Sequence, residues 1–418
     1  MKKYLFLILF LSLLTFEAKA SEYEWTNIGE SLPKSKGIIN LTALDIIGDS
    51  IWICSGLGTS ASGLKGEIYF SPDGGKSFSI QNTLYGTHSI KMLDSKNGYC
   101  AGYEGQVYNT TDGGQEWKRI GSTGVTNTSI DFPKGSDTGY VGGFKGVFRK
   151  ITPNGLIPIN SATSNDIRAI SCSSRDHIYV LWWADIVFYD GKNEAFLQEI
   201  SVDSKLPLSF LSIFMYNDTL GWIAGAYGLI AKTTTGGLVI NDQSPYIGQI
   251  TNVNTDLYSI KFYNDKIGVA CGYGGKILIT SNGGENWELS GQGLTTEMLL
   301  ATEFANNGDI YIVGNSKENE IPILLKGKLK TTSINEDKKY SDFIFPNPAS
   351  DYIEIDVGTG RDLSLPGNTI NVFNALGECI ISETGLRPVS TKIDISGLPP
   401  GVYFVRSGGY CAKFVKGE

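Results

Sequence analysis

Only two histidines, His88 and His177, occur in 418 residues, and that scarcity removes most general-base and metal chemistry at the outset. A Ser-His-Asp set has to run through one of the two, and neither sits in a nucleophile motif. HExxH, GxSxG and a phosphate-binding glycine loop ahead of a lysine are all missing, so no catalytic residue is assigned and no cofactor is expected. The six cysteines, Cys54, Cys100, Cys172, Cys271, Cys379 and Cys411, include no CxxC and no closely spaced pair, which argues against a metal site. The first four are expected to act as small buried hydrophobes at similar places in different repeats, leaving Cys379 with Cys411 as the pair to test for a disulfide. Clusters of Lys and Arg are lacking too. With a net charge of -8 and a pI near 5.1, nucleic acid is not an expected partner.

Long hydrophobic runs are absent except at the start, where Lys2 and Lys3 precede an apolar stretch from Tyr4 to Leu14 that closes with Ala18-Lys19-Ala20. Residues 1–20 read as a secretory signal peptide cleaved after Ala20. The run falls short of the roughly 20 apolar residues of a bilayer span, and no later segment supplies one, so no transmembrane segment is expected. The first cysteine comes far beyond the cleavage site, which leaves no lipoprotein anchor. What the chain has in abundance is glycine, 51 residues, and tyrosine, 21, at a charged content of 19%. Many short strands joined by tight turns would have this composition, which places the chain in the all-β class.

The middle of the chain repeats itself. Gly98 to Trp117 (GYCAGYEGQVYNTTDGGQEW) and Gly268 to Trp287 (GVACGYGGKILITSNGGENW) align without a gap. Weaker copies run from Trp52 to Phe78, Gly139 to Gly155, Ile178 to Lys192, Gly221 to Gly237 and Asp309 to Gly327, which makes seven units. Their turns fall near Asp73, Asp112, Asn154, Asp190, Thr235, Asn282 and Lys326, about every 40 residues, enough for four short strands each. Alternation such as Gln106-Val-Tyr-Asn-Thr110 marks a half-buried strand, and the Asp-Gly-Gly that follows marks a hairpin whose glycines supply positive φ. The carboxylate can accept from turn amides, and Trp117, Trp287 or Phe78 can cover the hairpin edge.

SPDGGKSF (71 to 78), TTDGGQEW (110 to 117) and TSNGGENW (280 to 287), with a degenerate TTTGGLVI (233 to 240), resemble the Asp-box or BNR repeat. That resemblance implies a β-propeller, here seven-bladed over residues 21–327. It also implies that Asp73, Asp112, Asn282, Trp117, Trp287 and Phe78 are structural and lie away from the binding face. Trp25-Thr-Asn-Ile28-Gly29 is similar to the fourth strand of a unit, and the seventh unit lacks one. The mature N-terminus is therefore expected to supply the outer strand of the last blade.

Residues 328–342 are polar and read as a linker. Residues 343–418 then show strand-like runs at 353–357, 369–373, 378–382, 392–395, 401–406 and 410–416, which suggest a small antiparallel sandwich. Phe345-Pro346-Asn347-Pro348, Leu398-Pro-Pro-Gly401-Val-Tyr403-Phe404 and Lys413-Phe-Val-Lys416 together resemble the type A C-terminal sorting domain of the type IX secretion system. The resemblance implies the type IX machinery as a partner and passage across the outer membrane. It also implies removal of the domain near the linker, then release or attachment at the cell surface.

Sialidases carry Asp-boxes and are similar to one another in an arginine triad, whereas residues 25–327 hold only Arg119, Arg149, Arg168 and Arg175. Hydrolysis by paired carboxylates would need two acids about 5 to 9.5 Å apart, with Asp131 and Asp166 as candidates. The seven-unit layout with its Gly-x-x-Gly pairs is most similar to the propellers of photosystem II assembly factors, which implies a protein- or peptide-binding scaffold. Reading Leu257 to Phe262 and His88 to Met92 as innermost strands gathers His88, Asn127, Asp166, Arg168 and Tyr258 at the mouth of the ring. Arg168 either meets an anionic ligand or pairs with a neighbouring acid. The expectation is a secreted, monomeric binding scaffold for protein, peptide or glycan, with a secreted glycoside hydrolase as the alternative.

Overall fold

A computed structural model describes residues 23–33, 39–57, 65–161, 163–182, 185–200, 209–236, 240–242, 255–315, 321–329, 344–345, 349–356, 369–374, 379–384, 390–407 and 410–417. The chain divides into two compact units, Met1–Lys330 and Thr331–Glu418. The expected signal peptide and most of the expected linker lie outside the described residues.

Among the described residues the first unit holds seven four-stranded antiparallel sheets, each a blade. Their innermost strands are Ile39–Ile47, Thr87–Met92, Asn127–Asp131, Ala169–Cys172, Phe210–Met215, Leu257–Phe262 and Leu299–Phe304. Each touches the next, and the last touches the first, so the ring is closed. The second strands, such as Gly98–Gly102, Gly139–Gly143, Gly221–Gly225 and Gly268–Gly272, are buried along their whole length, as a strand sandwiched between two neighbouring blades must be.

Closure falls to the N-terminus. Tyr23–Asn27 pairs antiparallel with Leu324–Leu329, setting Trp25 opposite Gly327, and the Trp25 indole N–H donates to Ser290 Oγ at 2.9 Å. Blade 7 is thereby built from both ends of the propeller sequence, which joins the two termini and leaves no open seam. Lys326, expected at a turn, instead lies inside the third strand, because the outer strand arrives from elsewhere and no hairpin is needed there. That strand runs on to Leu329.

Hydroxyls join the inner strands. Ser89, Ser129, Ser171, Ser212 and Ser259 each accept, at 2.9 to 3.2 Å, from a backbone N–H of the following blade: Ile130, Ile170, Met215, Ile260 and Thr302 respectively. Inner strands are sheet edges with unpaired amides, and these bonds satisfy some of them. Cys54, Cys100 and Cys271 sit on second strands, but Cys172 ends an inner strand, so the four do not share one repeat position. All four are buried and free. Burial raises the Cys54 thiol to about 12 and lifts the others, which keeps them protonated and inert.

The second unit has a three-stranded sheet, Ile344–Phe345, Tyr352–Asp356 and Ser390–Asp394, and a four-stranded sheet, Cys379–Thr384, Thr369–Asn374, Gly401–Ser407 and Tyr410–Lys416. Ile353 and Ile393 from the first meet Val372, Tyr403, Val405 and Phe414 from the second in one core. Tyr403 stacks on Phe414 and donates to Pro399 O at 2.7 Å, while Gly401 opens its strand. Lys413 pairs through its backbone with Phe404. Pro346, Asn347 and Pro348 lie outside the described residues.

Candidate functional site

Among the described residues the hairpins between third and fourth strands lie at one end of the ring, and in three of them the same hydrogen bonds recur. Ser71, Thr110 and Thr280 donate through their hydroxyls to Asp73, Asp112 and Asn282 at 2.8 to 2.9 Å, and accept from Gly75, Gly114 and Gly284 N–H. Asp73 accepts from Lys76 and Ser77 N–H, Asp112 from Glu116 and Asn282 from Asn286, all at 3.0 Å. The Ser77 hydroxyl leads the contacts that hold Asp73 down at about 2. Trp117 and Trp287 are buried between blades, and Phe78 packs beside the seam between blades 7 and 1.

Sequence reasoning missed what these hairpins receive. Trp52 Nε1 donates to Gly113 O at 2.9 Å, Trp222 Nε1 to Gly283 O at 3.1 Å, and the Tyr311 hydroxyl to Gly74 O at 2.9 Å. Each aromatic belongs to the blade before the hairpin, so the turn is a docking point for its neighbour. The signal was an aromatic at the second or third residue of the second strand.

The opposite end carries the Gly-x-x-Gly turns. Antiparallel pairing brings the first residue of each inner strand beside the last of the second strand: Thr87 with Gly102, Asn127 with Gly143, Phe210 with Gly225, Leu257 with Gly272. The first glycine allows close approach. A Cβ on Gly272 would stand 2.0 Å from Asp256 O, the carbonyl that accepts the Tyr273 N–H. The second glycine takes positive φ, as Gly275 does at +68°. Between them stand Tyr103-Glu104, Phe144-Lys145, Ala226-Tyr227 and Tyr273-Gly274. Phe144, Tyr227 and Tyr273 are exposed, the two tyrosines by more than half, at 53% and 57%.

The five residues expected at the mouth all map to this end, in different states. The His88 ring lies 4.4 Å from that of Tyr103, and burial lowers its pKa. Asn127 is fully buried; its amide donates to Gln106 O at 3.3 Å and accepts from the Thr123 hydroxyl at 2.8 Å. Asp166 accepts from Lys145 N–H at 2.9 Å, and Asp256 plays the same part for Tyr227 N–H at 3.3 Å. Arg168 is half-buried beside the blade 4 inner strand, and its N–H donates to Leu181 O at 2.8 Å. Burial, then Asp256 and Tyr273, raise the Tyr258 hydroxyl.

Among the described residues the catalytic candidates named from the sequence are not brought together. Asp131 ends its inner strand and accepts from Cys172 N–H at 2.7 Å, whereas Asp166 precedes the start of the neighbouring inner strand, about 10 Å or more along it. Ser174 Oγ and Asp218 Oδ2 both lie on His177 Nδ1, at 3.0 and 3.3 Å, whereas a triad needs them on opposite ring nitrogens. Arg119 contacts Gln106 near an outer strand, Arg149 bonds Phe148 O on a third strand, and Arg175 reaches Gly135 O. Among the described residues no group of three or more His, Cys, Asp or Glu could hold a metal ion.

One register position on the inner strands was also invisible in sequence. Asp45, Lys91, Asp131, Lys261 and Glu303, with Ser171 and Phe214, lie opposite equivalent second-strand residues and so form one level around the axis. Lys261 and Glu303 pair at 3.1 Å and Lys91 lies 4.0 Å from Asp45. Burial pushes the Asp45 carboxyl up, while its charge holds Lys91 protonated.

Several known proteins are similar to this chain. A photosystem II assembly lipoprotein, Ycf48 of Picosynechococcus sp., is 26% identical over 185 residues, 42% of this chain and 52% of the relative, so the chain spans about half the length of the curated relative it matches. A solved structure of Ycf48 bound to D1 peptide superposes with a TM-score of 0.55 at 15% identity, covering 74% of this chain and 97% of that one. Ycf48 from Cyanidioschyzon merolae gives 0.55 at 14%, covering 72% and 98%. The WD40 β-propeller domain of Doa1 gives 0.54 at 14%, covering 73% and 96%. These likenesses show the fold. Residues 343–415 match the family described as the secretion system C-terminal sorting domain, so this chain carries a β-propeller with a fold like that of Ycf48 and a C-terminal region that matches that sorting family.

Proposed function

We propose that this protein is an exported, non-enzymatic scaffold whose Gly-x-x-Gly face receives an extended segment of another protein. One observation carries the reading: Phe144, Tyr227 and Tyr273 stand exposed on the Gly-x-x-Gly turns of three blades, while at the other end Trp52, Trp222 and Tyr311 are buried between blades and the exposed aromatics are Tyr216 and Tyr263, the latter donating to Asn306 O. Exposed aromatics that recur at one end of a rigid ring offer stacking area at small entropic cost. The Ycf48 structure with a D1 peptide supports a polypeptide over a glycan as occupant. The Asp-Gly-Gly hairpins are read as Asp-boxes with a purely structural role. Export uses the type IX machinery through the sorting domain, to the cell surface or beyond. Residues 1–20 serve as the signal peptide, and cleavage near residues 328–342 separates the propeller.

Photo-crosslinkers placed in the full chain at Phe144 and Tyr273, and at Lys96 on the opposite end, test this on intact cells. A discrete protein captured only from the first two is the expected result, weakened by Arg168→Ala if that guanidinium contributes. Equal capture from Lys96 refutes the face assignment. Turnover of polysaccharides or sialosides, abolished by an acid-to-amide change, would establish the hydrolase instead.

A further inference from the structure

Among the described residues four other than glycine adopt positive φ: Glu104 at 53°, Lys145 at 55°, Glu194 at 54° and Tyr227 at 57°. Left-handed backbone disfavours any side chain with a Cβ, so each needs a reason to be there. Glu194 has one, a 2.7 Å ion pair with Lys150. The other three occupy a single structural position, the third residue of the Gly-x-x-Gly turn in blades 2, 3 and 5; in blade 6 that position is Gly274, at 68°. Glycine is thus the residue the turn prefers, and three blades have something else.

Folding supplies no reason for the exceptions. Glu104, Lys145 and Tyr227 are all exposed, and among the described residues none of their side chains makes a hydrogen bond or an ion pair. Their backbones, by contrast, are held firmly: Asp166 and Asp256, each from the following blade, take the N–H of Lys145 and Tyr227. The turn therefore fixes where each side chain emerges, and a strained position kept for a side chain that makes no internal contact of its own points outward to a ligand.

We infer that Glu104, Lys145 and Tyr227 are the specificity-determining positions of the face, an acid, a base and an aromatic that read successive parts of an extended polypeptide. This rests on the polypeptide reading above. Charge complementarity sets the occupant's chemistry: a basic side chain over blade 2, an acidic one over the adjacent blade 3, and an apolar or aromatic group over blade 5. Phe144 and Tyr273 at the neighbouring turn position then supply general stacking area.

The test uses the full chain on an array of synthetic 15-residue peptides, together with thermal melting. A triple variant, Glu104→Gly with Lys145→Gly and Tyr227→Gly, is expected to melt at or above the wild-type temperature, because glycine relieves the backbone. It is expected to lose at least tenfold in affinity for the peptides the wild type retains. The exchange Glu104→Lys with Lys145→Glu is expected to select peptides in which the positions of acid and base are swapped. A triple variant that melts lower assigns the side chains a folding role and overturns the inference. So does a retained-peptide profile unchanged in both variants. A wild-type chain that retains no peptide overturns the polypeptide reading and this inference with it.

Discussion

At the end of the propeller that carries the Asp-Gly-Gly hairpins, the polar groups of the turns and three aromatics, Trp52, Trp222 and Tyr311, close upon the chain itself, although Tyr216 and Tyr263 are exposed there. Asp112 accepts from its own turn, and Trp52 and Trp222 reach across to the next blade's hairpin carbonyls. At the end with Gly-x-x-Gly turns, the backbone is equally well fastened, yet Phe144, Tyr227 and Tyr273 project into solvent. Both ends join the same ladder of strands. The difference teaches that motif strength and function are separate matters: the more recognisable repeat word is the one devoted to building the ring.

Substitutions can break or sharpen that contrast. The largest effect is expected for Trp222→Ala, which removes a stack on Phe262 with ring centroids 3.5 Å apart and the bond to Gly283 O; about 4 kcal/mol of stability should disappear in urea denaturation. Gly272→Ala comes next, at about 3 kcal/mol, because its Cβ meets a carbonyl and neither strand can withdraw. Gly274→Ala, two residues on and facing open space, should cost only about 1 kcal/mol, from its positive φ alone. Near-equal losses at the two glycines would contradict the close-approach argument. Asn127→Ala should cost about 2 kcal/mol, since it strands buried partners, and would mark this residue as part of the frame beneath the display.

Smaller effects separate frame from display. The folded His88 titrates below its ordinary value, so its contribution to stability is full above about pH 6.5 and is lost as pH falls through that point toward the lowered folded pKa. A melting profile across pH 7 to 5 should flatten in His88→Phe relative to wild type. The smallest change is expected for Phe144→Ser and Tyr273→Ser, whose stabilities should stay within about 0.5 kcal/mol of wild type while captured protein in the crosslinking experiment falls. A large stability loss there would make those rings part of the fold and erase the distinction between the two ends.

Much of the architecture was legible because turns are local. Asp112-Gly-Gly114 and Asn282-Gly-Gly284 announce hairpins from residue type alone, and Trp25 in a blade-like word announced how the ring closes. The five mouth residues lie where the inner strands begin, a placement that antiparallel pairing derives from those turns. Their roles were not legible: Asn127 and Asp166 look alike as free polar side chains, but one is buried under Gln106 and the other clamps Lys145. Nor could the string show that Glu104, Lys145 and Tyr227 share a left-handed backbone, since a Gly-x-x-Gly word does not state the sign of φ at its third position.

The sequence alone determined the all-β class and the seven units of about 40 residues, because hairpin chemistry and hydrophobic alternation act between near neighbours, while resemblance of its motifs to known families supplied the ring and the C-terminal sorting domain. Tertiary structure alone decided which aromatics were spent between blades and which were left in solvent. It alone brought Asp45, Lys91, Asp131, Lys261 and Glu303 to one level, and placed the carboxylate of one blade on the turn of another. Such contacts join residues some 20 to 250 positions apart, and only closure of the ring fixes the register that makes them meet.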